Sequence, residues 1–349
     1  MNHQKLDLHF AQVERAFSNS SSNVYSDANK KNFQDQLRFI FDCYKGIKQV
    51  KTLDINQIQI FRTVLNIIID HLDHLDASII GKFPTELIFC LDVVLEEWID
   101  DYDKYLVLTS LSNKNNKYQI VHYPLVTYEY LNGEVSNLSG TSFKFAHTPI
   151  LLQIPRFQSH CFLANAVVYH EIGHFIDFKY KIIDTLFDQD KFLAGLTEKA
   201  KTKSYYREFF CDLFAAQYVG KASNNYLNYI NYKDDDGDSH PSTDSRLKVV
   251  DDFLSGKSNE YIDRIIPAVE KLTNRKMESK LIELPLDFFS NGNSIKIENK
   301  TQLSSLFPLA WDTWIDQDST FMKKHGNDLL TAHNNLNKLM INSIRSILN

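Results

Sequence analysis

Glycine and proline are scarce in this chain, 11 and 8 of 349 residues. Such a composition excludes collagen-like and low-complexity disordered classes and points to a packed globular protein. Long apolar runs are missing as well. VLNIII (64–69) and ELIFCLDVV (86–94) meet an Asp within a few residues and fall well short of the ~20 residues needed to span a bilayer, so no membrane span is expected. The opening MNHQKLDLHF has no basic start followed by an apolar run, hence no secretory signal is expected and the protein reads as soluble. The four cysteines, Cys43, Cys90, Cys161 and Cys211, lie in apolar neighbourhoods and form no CxxC pair. They read as buried reduced thiols, which favours the cytoplasm, although a protein exported without a signal would carry the same pattern. An excess of charge of one sign is lacking too: the net charge is −6, and Lys and Arg are scattered rather than gathered into a stripe that could follow a phosphate backbone, so nucleic acid is excluded as a main partner.

What is present is periodic. Residues 27–47, 55–75 and 84–101 carry apolar residues at three- and four-residue spacing and predict helices. The segments 104–111, 117–123, 125–131 and 148–154 are rich in β-branched and aromatic residues and predict strands. Helical signals return at 161–180 and continue through 184–200, 203–219, 241–254, 257–274 and 326–348. The expected fold is α+β: a zincin-like core with a small, mostly antiparallel sheet, flanked by helical regions. The expected organisation is an N-terminal helical region (1–101), a core (102–255) and a C-terminal helical region (256–349).

The chemistry concentrates in VVYHEIGHFIDF (167–178). His170 and His174 are one helical turn apart and can aim both imidazoles at one divalent ion. Glu171 projects beside that ion, where a carboxylate can hold and deprotonate a water. A shuffle of this composition yields an HExxH only about 0.02 times. Two histidines are an incomplete set, because catalytic zinc uses three protein ligands and leaves the fourth position to water. Asp177 shares the helix but is poorly placed to complete a tetrahedron, and an outer supporting role suits it better. Glu208, in SYYREFFCDLFAAQYVG (204–220), is the stronger third ligand. Asp212, four residues on, would accept the free N–H of His170 or His174 and fix its tautomer.

With HEIGH (170–174), REFFCD (207–212) and HPSTDSR (240–246) together, the chain resembles gluzincin-type zinc metallopeptidases, and among them the HtpX-like and CAAX-prenyl protease family. The resemblance implies His170, His174 and Glu208 as Zn2+ ligands, Glu171 as catalytic base, Asp212 behind the ligands, and His240 and Arg246 near the substrate as catalytic residues. The sequence departs from the family pattern at Cys211, where a small Ala is usual, and in lacking the transmembrane helices of many members. His240, heading a Pro-terminated loop, could donate a hydrogen bond to an oxyanion. Arg246 could anchor a carboxylate or brace the loop, and Tyr205 and Tyr206 are alternative oxyanion donors that packing explains equally well. The acidic run 234–238 fails the EF-hand pattern, with Tyr232 and Thr243 at the positions that need an oxygen ligand and a Glu. The strand 148–154 is expected to pair with an extended peptide substrate as an edge strand.

The expected function is therefore zinc-dependent hydrolysis of a peptide or protein substrate. Two alternatives stand beside it: a non-catalytic helical interaction module with a structural zinc, and a dedicated toxin, defence or effector protease with one protein target.

Overall fold

A computed structural model describes residues 3–25, 27–113, 118–121, 125–230, 237, 240–285, 287–315, 321 and 328–348. Two compact units are present: Met1–Thr85 with Asp101–Arg156, and Glu86–Asp100 with Phe157–Asn349. The expected core of 102–255 is thus divided. Its strands group with the N-terminal helices, while the motif helices group with the C-terminal ones and with residues 86–100.

The first unit opens with α1 (His3–Ser20), α2 (Ala28–Val50) and α3 (Ile55–Ala77). Asp27 caps α2 by accepting from the Asn29 N–H. At the start of α3, Asp54 and Gln57 each accept the other's backbone N–H, satisfying donors that have no partner within the helix. The apolar stripes of the three helices meet in a core around Phe10, Phe33, Phe41, Tyr44, Phe61 and Leu65. The next helix, α4 (Thr85–Trp98), belongs almost wholly to the second unit.

The sheet consists of β1 (Tyr105–Ser112), β2 (Gln119–Val121) and β3 (Thr148–Pro155) in the order β1-β3-β2. It is mixed rather than mostly antiparallel. Its long pairing, from Tyr105↔Thr148 to Ser112↔Pro155, is parallel, and only the three-residue pairing of β2 with β3 is antiparallel. Continuous burial over 106–110 and 149–152 fits strands covered on both faces. Because β3 is the middle strand, the expectation that 148–154 offers an edge to substrate is overturned.

A second correction concerns LVTYEYL, which is not a strand but the first half of α5 (Leu125–Ser139). Tyr128, Leu131 and Val135 are buried from it at helical spacing, so tertiary burial overrides the β-favouring composition. Tyr128 Oη lies 2.8 Å from His71 Nε2, and His71 Nδ1 lies 2.6 Å from the Ile67 carbonyl.

The second unit holds α4, α6 (Phe162–Asn165), α7 (Val168–Tyr180), α8 (Ile182–Gln189), α9 (Lys191–Ala194), α10 (Lys199–Val219), α11 (Ala222–Ile230), α12 (Thr243–Leu254) and α13 (Glu260–Thr273). Helices at Leu306–Ile315 and Leu329–Leu348 follow. From Glu208 onward α10 is buried on every side, as expected of a central helix, and it packs against α7, α8, α11, α12 and α13. Its approach to α7 is unusually close: a Cβ on Gly173 would stand 2.8 Å from Cys211 Cα. Only glycine allows two helix backbones to come so near.

Elsewhere in this unit Trp98 donates to Tyr218 Oη, which donates to Glu97. In WDTW (311–314), Trp311 donates to the Leu163 carbonyl and Trp314 stands edge-on to His333, both packing roles. Among the described residues no helix is long and apolar enough to cross a membrane.

Candidate metal centre

The turn at Ala166 and Val167 separates α6 from α7, and α7 then presents His170 and His174 on one face, their ring centroids 4.9 Å apart. Across from them α10 brings Glu208. His170 Nε2 lies 3.4 Å from Glu208 Oε2, and His174 Nε2 lies 3.6 Å from Glu208 Oε1. The predicted third ligand therefore meets both imidazoles, although it is 34 residues downstream of His174.

Behind His170 stands the predicted Asp212, whose Oδ1 is 2.9 Å from Nδ1. Of the two histidines left open as its partner, Asp212 takes His170. Asp212 is in turn held by Arg246, with Nε to Oδ2 at 2.7 Å and Nη2 to Oδ1 at 2.8 Å, the two-pronged pairing that suits a planar guanidinium. Arg246 reaches this position from the first turn of α12, which begins after Pro241 at the cap residue Ser242. Both groups are buried, so Arg246 acts on Asp212 and, at 3.5 Å, on Glu208. This placement makes it a brace inside the protein rather than an anchor for substrate.

The charges are strongly coupled. Burial opposes a charged His170, but hydrogen bonds to Asp212 and Glu208 outweigh it and raise His170 to about 9. For His174 burial dominates, reinforced by the neighbouring His170 charge, and lowers it to about 4. Burial would push Glu208 up, yet His170, Arg246 and His174 bring it down to about 2. Burial works on Asp212 in the same direction and is overcome by Arg246 and His170, which hold it well below the usual carboxylate range. The centre is thus built for two anionic carboxylates facing cationic partners.

Glu171 is half-buried on α7 beside His170, close enough for its charge to act on the Cys211 thiol. His240 is at the rim: its side chain is 64 % exposed and its Nε2 lies 3.8 Å from Glu208 Oε1. Tyr205 donates to the Gly237 carbonyl, and Tyr206 is buried against Phe187 and Tyr261. Most of the acidic run 234–238 lies outside the described residues. Asp177 accepts from the Ile183 N–H at the α7–α8 junction and pairs with Arg207 at 3.2 Å, bonds that support the helix corner.

One contact had no counterpart in the sequence reading. Cys211 Sγ lies 3.1 Å from His174 Nδ1, and the three residues His170, His174 and Cys211 gather potential ligand atoms within 4.8 Å of one another. Two donor sets are therefore conceivable, one with Glu208 and one with Cys211. The hydrogen bonding separates them: the Nδ1 atoms face Asp212 and Cys211, whereas both Nε2 atoms face Glu208. Around a tetrahedral zinc with bonds of about 2.0–2.2 Å, neighbouring donor atoms lie about 3.3 Å apart. The two Glu208 spacings, each to a different carboxylate oxygen, are close to that value, whereas the described residues whose potential ligand atoms all gather within 4.8 Å of one another are His170, His174 and Cys211.

Compared with known proteins, the chain matches no family model, no curated protein and no solved structure. The resemblance to gluzincins therefore rests on the three short sequence motifs.

Proposed function

We propose that this protein is a zinc-dependent metallopeptidase of the gluzincin type with a zincin-like core, hydrolysing a peptide or protein substrate. The observation that carries this reading is the position of the Glu208 carboxylate, 3.4 and 3.6 Å from the two imidazole Nε2 atoms of an intact HExxH. His170, His174 and Glu208 would hold the ion. When bound, zinc supplies Lewis acidity and a water acidified to a pKa of about 7.

The remaining steps belong to the chain. Glu171 accepts the proton of the attacking water and passes it to the leaving amine, a shuttle for which its place beside His170 is suited. Asp212, fixed by Arg246, keeps a proton on His170 Nδ1 so that Nε2 is free to donate its lone pair. His240, exposed at the rim, is positioned to donate a hydrogen bond to the developing oxyanion. Loss of such a donor costs about 100-fold in kcat. A purely structural clip between α7 and α10 would have no use for a base at position 171.

The test combines metal analysis with turnover. Glu208→Ala should lose zinc, and Glu171→Gln should keep zinc while failing to cut an unfolded protein that the wild type cuts. Equal cleavage by wild type and Glu171→Gln would remove the proposed base. Full zinc loading of Glu208→Ala would remove the third ligand.

A further inference from the structure

The two histidines of the motif are not equally supported. His170 has the usual kind of partner for a ligating imidazole, an anionic carboxylate held by an arginine. His174 has Cys211 Sγ at 3.1 Å, and among the described residues no other hydrogen-bond partner faces its Nδ1. Cys211 is fully buried on α10, directly against the glycine that lets α7 approach. The tight crossing leaves room there for one small side chain, and the residue present carries an acceptor atom. A neutral imidazole that ligates through Nε2 must carry its proton on Nδ1, and the atom that faces this nitrogen is the sulfur of the buried Cys211.

Resting on the zinc-site reading above, we propose that Cys211 is a positioning residue: its thiol sulfur accepts the Nδ1–H of His174, fixes the tautomer that frees Nε2, and is not itself a ligand. Sulfur is a weak acceptor, so His174 becomes the less firmly held of the two ligands. The centre is then asymmetric, with a rigid half on His170 and a yielding half on His174.

The experiment measures Zn2+ dissociation constants by chelator competition for wild type, Cys211→Ala, Cys211→Ser and Glu208→Ala, together with Co2+ spectra of the wild type. Cys211→Ala should raise the dissociation constant about 10-fold with one ion still bound per chain. Cys211→Ser, which keeps an acceptor, should recover part of that loss. The Co2+ protein should lack thiolate-to-metal charge-transfer absorption. Unchanged affinity in Cys211→Ala would overturn the proposal, and so would a thiolate band in the wild type, which would make Cys211 a ligand. If the alanine variant does not fold, 15N-histidine NMR of the zinc-loaded wild type decides: a solvent-protected Nδ1–H on His174 supports the role, and its absence sinks it. Failure of the zinc-site reading looks different, because Glu208→Ala would then bind the ion as well as the wild type does.

Discussion

Arg246 grips Asp212 through two parallel hydrogen bonds, 2.7 and 2.8 Å, with both groups buried behind His170. Removing one partner of such a pair leaves an uncompensated charge out of water, a cost of about 3–5 kcal/mol. Arg246→Ala should therefore destabilise the protein by that amount in denaturant titration. Arg246→Lys, which keeps the charge and loses the fork, should fall between alanine and wild type. A loss below about 1 kcal/mol in the alanine variant would mean that Asp212 is not dependent on this arginine.

Metal uptake should release protons in a defined window. With His170 raised to about 9 and His174 lowered to about 4, the metal-free centre carries one imidazolium at pH 7, and that proton must leave before Nε2 can bind. Titration calorimetry in buffers of different ionisation enthalpy should show, beyond the proton given up by the bound water, a His170 share of about one proton per ion at pH 7 that falls towards zero as the pH rises through about 9. A His170 share that stays constant across this range, once the proton of the bound water is subtracted, would contradict the assignment.

Gly173→Ala would place a methyl group 2.8 Å from a backbone atom, Cys211 Cα. Since α10 must shift to make room, a loss of about 1–3 kcal/mol is expected. Zinc affinity should fall as well, because Glu208 and Cys211 ride on the displaced helix. Thermal unfolding with and without metal checks both effects.

Asp177→Asn tests the separation between the helix corner and the centre. It weakens the pairing with the half-exposed Arg207, so stability should drop by about 1 kcal/mol or less. Zinc content should be unaffected. Reduced metal binding would restore Asp177 to the surroundings of the histidines.

In the first unit His71 is buried and lowered to about 4, chiefly by burial. The unfolded chain, with its histidine near 6.5, binds the proton more readily. The contribution of neutral His71 is therefore fully present above 6.5 and is lost as the pH falls through about 4. Protection factors of the amides of α3 and α5, corrected for the intrinsic exchange rate at each pH, should fall over that interval, and His71→Phe should flatten this dependence.

The residues that were legible in advance share one property: their spacing lies within a single helix. His170, Glu171 and His174 are set by one turn of α7, and Glu208 and Asp212 by one turn of α10. What was not legible depends on how elements meet. Cys211 finds His174 only because α7 crosses α10 at Gly173, and no local pattern records the rotation of one helix about another. Arg246 could be placed near the centre, but its grip on Asp212 comes from the docking of α12. The central position of β3 follows from a parallel pairing with a strand more than 30 residues away, and LVTYEYL is helical because of what buries Tyr128 and Leu131.

The three imidazoles at the centre differ in their exposure to solvent. The side chain of His240 is 64 % exposed, that of His174 33 % and that of His170 5 %. On the proposed zinc reading, exchange of an ion with water would turn on the more exposed, thiol-backed imidazole, while the carboxylate-backed one, the most deeply buried of the three, stays oriented by its partner.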